Sequence, residues 1–203
     1  MFAQSWHVAR YSQKMKDETP GLIWRKAIAS DIPALHTLIE ESVRVLQAGD
    51  YSPEQMDGAL GTYLGVDTQL IADGTYFAVE DEAAAAPGRL AACGGWSRRK
   101  TLFGADRRPD RDEALLDPKT DAAKIRAFFV HPAWARRGIG SRILELCESA
   151  ARAEGFTRFE MGATLTGVPL YRRWGYAELG RIELPLANGQ SLPIIRMEKR
   201  DED

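Results

Sequence analysis

Apolar positions along this chain fall into short near-continuous runs and into stripes at helical spacing, with turn residues between them. Residues 22–28, Leu-Ile-Trp-Arg-Lys-Ala-Ile, read as a first strand. Ser30 or Asp31 then suits a helix cap and Pro33 the first turn. The helix that follows places Leu35, Leu38, Ile39, Val43 and Leu46 on one side. A second helix is expected within residues 51–72, started by Ser52 ahead of Pro53 and Glu54. Residues 75–80 and 90–96 are strand-like, and Pro87-Gly88 between them marks a turn, which predicts antiparallel neighbours. Residues 97–123 are long, rich in Arg, Asp and Pro and without period, and are expected to be a functional or a mobile loop. Residues 125–130 form an almost wholly apolar run, as in a strand buried on both faces.

The second half continues the same alternation. A helix from Gly140 to the stop at Gly155 turns Ile139, Ile143, Leu146, Cys147 and Ala150 to the core, and Arg142, Glu145, Glu148 and Arg152 to water. Residues 156–163 form a strand and 168–174 a short helix stopped by Gly175. Two last strands, 176–185 and 192–199, flank Asn188-Gly189, a strong hairpin signal. Mostly antiparallel strands around one strand–helix–strand crossover predict an α/β fold, with a mixed sheet flanked by helices. Residues 1–21 are polar and aperiodic, so the chain divides into an N-terminal extension, 1–21, and one domain, 22–203.

Composition narrows the function. A net charge of -2 argues against a nucleic-acid partner, which calls for a basic excess. No stretch approaches the roughly 18 apolar residues of a membrane span. Residues 1–20 lack the apolar run of a signal peptide, which suggests a cytoplasmic setting. Cys93 and Cys147 show no metal or CxxC spacing and are expected to be buried core thiols; no metal site is expected.

The chemistry is carried by residues 128–141, Phe-Phe-Val-His-Pro-Ala-Trp-Ala-Arg-Arg-Gly-Ile-Gly-Ser. A buried strand ends at His131-Pro132, and a helix opens at Gly138 and Gly140. Glycine lets a backbone approach a ligand closely, and the first amides of a helix have no intrahelical partners and sit at its positive end. Such a turn suits a pyrophosphate, with Arg136 and Arg137 as additional donors. A P-loop would need Gly-Lys-Ser/Thr, and a dinucleotide site a third glycine and a later acidic residue; neither is present. From the glycines alone, a surface turn with two solvated arginines is an equal reading.

The segment resembles the acetyl-CoA-binding motif of the GNAT superfamily of N-acyltransferases, Gln/Arg-x-x-Gly-x-Gly/Ala after a strand ending in Val-x-Pro. Here it reads Ala135-Arg136-Arg137-Gly138-Ile139-Gly140 after Val130-His131-Pro132, with Ala135 at the first position. Leu170-Tyr171-Arg-Arg-Trp174-Gly175-Tyr176 is similar to the family's second signature. The resemblance implies the GNAT-like acyl-CoA N-acyltransferase fold, acetyl-CoA as cosubstrate, and acetyl transfer by direct attack of a small-molecule primary amine. It implies that the strand of Phe128, Phe129 and Val130 splays at a bulge to hold the pantetheine arm, with a backbone N–H near Val130 polarising the thioester. Arg136, Arg137, Gly138, Ile139, Gly140 and Ser141 would cradle the pyrophosphate, and Tyr171 would be the general acid. Glu160, Glu80 and a water relay are open as the base, and His131 reads as a structural polar residue. Other readings in the same frame are a non-catalytic acyl-CoA-binding module and a protein or peptide N-acetyltransferase. Relatives often pair through their C-terminal strands, which leaves a homodimer open. Strand alternation places Arg126 on the face of Phe128 and Val130, where it would bind an acceptor bearing a carboxylate or phosphate and favour anionic amines over polyamines. A second basic run, Arg98-Arg99-Lys100, opens the long loop and reads either as solvated charge or as part of the same cleft.

Overall fold

The computed structural model describes residues 21–82 and 89–201; the expected extension before Gly21 and the Pro87-Gly88 turn lie outside them. Seven strands form one sheet in the order β1-β2-β3-β4-β5-β7-β6. They are β1 Leu22–Lys26, β2 Tyr76–Asp81, β3 Leu90–Ser97, β4 Ala123–Val130, β5 Arg158–Thr164, β6 Ala177–Pro185 and β7 Ser191–Arg200. Every neighbouring pair is antiparallel except β4 and β5. These two are joined through helix α4, Ile139–Ala153, the crossover that parallel strands require. This is the mixed α/β sheet that the hydrophobic pattern predicts.

Each face of the sheet carries its own core. Helix α4 and the short helix α5, Val168–Arg173, cover one face, where Trp96, Phe156, Phe159, Ile143 and Met197 pack together. Trp96 and Phe156 meet edge to face with centroids 5.9 Å apart. Helices α1 Ile32–Leu46, α2 Pro53–Ala59 and α3 Thr68–Ala72 lie by the other face, over Leu35, Ile39, Leu70, Tyr76 and Leu192. Full burial of one such side chain contributes about 1.5–3 kcal/mol, so the two layers fix the sheet between them.

Three expectations about the scaffold change on contact with the structure. The single helix expected over residues 51–72 is two. Ser52 does cap the first, accepting the Gln55 amide at 3.2 Å, but Leu60 is extended and Gly61 has φ +82°, which ends the helix. Residues 97–123 are neither featureless nor free. Lys100 N–H donates to Ala114 O and Thr101 N–H to Asp112 O, both at 3.0 Å, and Leu116 N–H donates to Arg98 O at 2.8 Å, so the segment returns along itself. The two arginines of the basic run are paired: Arg99 bonds Asp73 at 2.7 Å and Arg98 bonds Glu154 at 2.9 Å.

Glu148 is the third correction, since it faces the core and is only 2% exposed. Its carboxylate accepts from Tyr176 Oη at 3.0 Å, Lys199 Nζ at 2.7 Å and Arg152 at 2.9 Å. Arg152 pairs with it one turn along α4, as i,i+4 neighbours can, while Tyr176 and Lys199 arrive from the C-terminal hairpin, Tyr176 just ahead of β6 and Lys199 on β7. Removing the carboxylate leaves the Lys199 ammonium without its counter-ion, and breaking a buried pair costs about 3–5 kcal/mol. Glu148→Ala is therefore expected to lower the thermal midpoint by about 6–20 °C at this chain length, read by calorimetry against Glu145→Ala, an exposed control.

Candidate active site

Strands β4 and β5 separate almost as soon as they meet. Their ladder holds Ala123 opposite Phe159 and Lys124 opposite Glu160, and the rest of β4 has no β5 partner. A bulge adds to the divergence: Arg126 pairs with Gly95 and Phe129 with Cys93, so Ala127 and Phe128 share one opposing residue. Ala127 takes φ +55° there. The resulting cleft runs through the sheet. Its walls include Phe128, Met161 and Tyr171 towards the α4 face, and Tyr63 and Phe103 towards the other.

At the end of β4 the chain turns through Pro132–Trp134, a 3-10 turn capped by His131, whose Nδ1 accepts the Ala133 amide at 3.1 Å. His131 Nε2 lies 2.9 Å from Glu41 Oε2, so the imidazole serves the turn, as its place before Pro132 suggests. Arg136 then adopts φ +63° and Gly138, the N-cap of α4, φ +81°. A Cβ built on Gly138 meets nothing within 4 Å, which leaves the mouth of the helix open to a ligand. Among the described residues no side chain caps α4, and the amides of Ile139, Gly140 and Ser141 point out of its positive end. Arg136 and Arg137 are exposed beside it, and the Arg137 guanidinium lies 4.8 Å over the Trp134 ring. This geometry fits an anionic pyrophosphate, with the unpaired strand edge of Phe128 to Val130 leading from it into the cleft. Ser141 Oγ accepts from Trp174 Nε1 at 3.2 Å and ties the start of α4 to the end of α5.

Tyr171 lies on α5, 8% exposed, with its ring edge-on to Phe128 and Tyr176 at 6.2 and 6.0 Å. Gly167 makes room for it, since a Cβ there would stand 2.8 Å from Tyr171 Cε2. Burial pushes the Tyr171 phenol above its ordinary range, so it keeps its proton at neutral pH.

The two carboxylates considered as bases are committed elsewhere. Glu160 bonds Lys124 Nζ at 2.6 Å and also Arg196. Burial raises its pKa, yet those two cations outweigh it and hold the carboxyl below its usual range. Glu80 bonds Arg25 on the outer pair of strands, β1 and β2. Neither lines the cleft.

Arg126 departs from the sequence reading. The extra residue at the bulge inverts the alternation, so Arg126 shares a face with Phe129 and not with Phe128 and Val130. It reaches the cleft wall, but 5% exposed, with one nitrogen 2.8 Å from Asp67 Oδ2 and donating at 2.6 Å to Gly104 O. The contact with Asp67 is an ion pair out of line for a hydrogen bond. Asp67 is fully buried and also binds Arg111 at 2.8 Å, which anchors the 98–116 segment over the cleft. Asp67, Arg111, Tyr63 and Phe103 escaped sequence reasoning. Tyr63 and Asp67 lie between the two short helices where one was expected, Phe103 and Arg111 in the aperiodic 97–123 segment, and no local pattern marked any of them. Among the described residues, no group of three or more His, Cys, Asp or Glu side chains is arranged to hold a metal.

A splayed parallel pair beside an open helix N-terminus defines an acyl-CoA-dependent N-acetyltransferase fold. Residues 72–178, more than half of the chain, match the family model described as acetyltransferase (GNAT) domain, and the chain belongs to that family. The GCN5-related N-acetyltransferase of Rhodopseudomonas palustris superposes with a TM-score of 0.61 at 18% identity, over 88% of this chain and 94% of that one. The paiA N-acetyltransferase of Thermoplasma acidophilum, in complex with coenzyme A, gives 0.52 at 13% identity over 89% and 99%. The yncA acetyltransferase of Salmonella typhimurium, with acetyl-CoA, gives 0.56 at 16% identity over 90% and 95%. At these identities the likeness speaks to fold. No curated protein matches the sequence significantly.

Proposed function

We propose that this acetyl-CoA-dependent acetyltransferase acetylates the primary amine of a small molecule with an apolar body, by direct attack within one ternary complex. The observation that carries the reading is the through-sheet cleft, with the α4 amides on one side and an apolar wall on the other. Acetyl-CoA lies with its pyrophosphate on the amides of Ile139, Gly140 and Ser141, beside Arg136 and Arg137. Its pantetheine arm follows the free edge of Phe128, Phe129 and Val130 as an added strand. The amine enters from the side of Tyr63 and Phe103, attacks the thioester carbon as the neutral base and forms a tetrahedral oxyanion. When the C–S bond breaks, Tyr171 donates its proton to the sulfur and recovers one from the new ammonium through water, so the amine's proton ends on the thiol.

The acceptor class follows from charge. The guanidinium of Arg126 is already matched by Asp67 and Gly104 O, which removes the reason to favour a carboxylate. Among the described residues, none of the side chains lining the cleft is a carboxylate, so none of them favours a polycation either. Tyr63 and Phe103, with centroids 6.3 Å apart, offer tilted ring faces to an aromatic or branched aliphatic group. Steady-state assays should rank phenethylamine-type and branched alkyl amines above glycine, spermidine and peptide N-termini, by about 10-fold or more in kcat/KM. Preference for spermidine or a peptide would reject this acceptor class. Peptide preference would favour a protein acetyltransferase.

A further inference from the structure

The bulge in β4 is held from below by two side chains that never reach the cleft. Ala127 and Arg136 are the non-glycine residues with left-handed φ among those described. Such a conformation is disfavoured for alanine and persists where its surroundings hold it. Tyr76 Oη lies 3.2 Å from Ala127 O and 3.1 Å from Cys93 Sγ, and Cys93 Sγ lies 3.8 Å from the same carbonyl. Each donor has one proton. The hydroxyl gives its own to the carbonyl, while the thiol donates to the hydroxyl or to the carbonyl. Burial pushes the Cys93 thiol up to about 12 and the Tyr76 phenol well above its ordinary value, so both stay protonated. The Tyr76 ring reaches Ala127 by passing beneath Gly95, where a Cβ would stand 2.8 Å from Tyr76 Cδ2 and 2.9 Å from Thr75 O. Glycine at that point keeps the passage open.

Peptide planarity fixes what this arrangement does on the other side. The Ala127 carbonyl points towards donors on β2 and β3, so the N–H of Phe128, across the same trans peptide, points the opposite way. That direction leads off β3 and towards the gap β5 has left. We propose that Tyr76, with Cys93, is a positioning residue that locks the Ala127–Phe128 peptide so that the Phe128 N–H is presented to the acyl oxygen. The inference rests on the acetyl-transfer reading and moves the oxyanion donor from the neighbourhood of Val130 to a particular peptide. A fixed donor acts without reorganising as charge develops, and its worth depends on being held. With only the loose Cys93 contact left, the peptide rotates and the donor loses its aim.

The test compares acetyl-CoA with S-ethyl-CoA, which keeps the arm but lacks the carbonyl. In native protein labelled with 15N at its seven phenylalanines, the Phe128 amide proton should move downfield with acetyl-CoA and not with S-ethyl-CoA. In Tyr76→Phe that difference should vanish and kcat should fall by about 10- to 100-fold, below the 10²–10³ of deleting a donor outright. Affinity for free CoA, which has no acyl oxygen, should be unchanged, a split that general loss of structure would not produce. A Phe128 amide indifferent to the carbonyl in native protein overturns the assignment, and needs no variant to fold. So does a folded Tyr76→Phe enzyme with full kcat. Binding of both ligands without a carbonyl-dependent shift removes only this inference, whereas no response to either ligand also removes the acetyl-CoA reading.

Discussion

Tyr171→Phe is expected to bind acetyl-CoA as the parent does and to turn over about 10²- to 10⁴-fold more slowly, the span of general acid catalysis. The ring would remain wedged between Phe128 and Tyr176, so the wall of the cleft keeps its shape and only the proton donor is lost. Because burial holds the phenol above its ordinary pKa, Tyr171 stays protonated through neutral and mildly alkaline pH. The native enzyme's rate should accordingly rise with pH as the acceptor amine loses its proton, without a falling limb from Tyr171 until well into the alkaline range. A thiolate leaving group of pKa near about 8.5 can depart unaided. Full activity in the Phe variant would mean that it does so, or that water protonates it. Stopped-flow measurement of thiol release, with acetyl-CoA affinity taken from calorimetry, separates the chemical step from binding.

Gly138→Asp should have the opposite signature, a loss of CoA affinity in a folded protein. The position is the N-cap of α4, and a side chain there meets open space. The left-handed φ of +81° costs an aspartate about 1–2 kcal/mol, offset by about 1 kcal/mol if its carboxylate caps the free amides. That same carboxylate would occupy the groups assigned to the pyrophosphate and repel its charge. Losing an anion at a helix N-terminus is worth up to about 2 kcal/mol, so affinity should drop by up to about 30-fold from that loss alone. Gly138→Ala carries the strain without the charge and should lose much less. Equal affinities in the Asp variant and the parent, by titration calorimetry with CoA, would show that the pyrophosphate does not sit on this helix.

Much of the fold was legible because its elements obey local rules. The apolar run of β4, the stripe of α4, the glycines between them and the Asn188-Gly189 turn each announce themselves within a few residues. What stayed hidden depends on partners distant in sequence. Arg126 reads as a cleft cation until Asp67 is placed beside it and the bulge reverses its face. Alternation cannot show such a reversal, since one extra residue in a strand leaves no mark in composition. Glu148 reads as a surface charge because its i,i+4 partner Arg152 satisfies the local pattern, while Tyr176 and Lys199 come from beyond β5. The segment 97–123 reads as structureless because ion pairs and backbone bonds to itself, not a buried apolar face, hold it in place.

The central claim is that one cleft binds acetyl-CoA and passes its acyl group straight to an amine. Mixing the protein with acetyl-CoA labelled in the acetyl carbonyl and with phenethylamine, then following free thiol and N-acetyl product together, tests it most directly. The account predicts that each thiol released is matched by one labelled amide, with no labelled protein at any time. Thiol release accompanied by labelled acetate in place of amide, or the appearance of an acetylated protein intermediate, would contradict it.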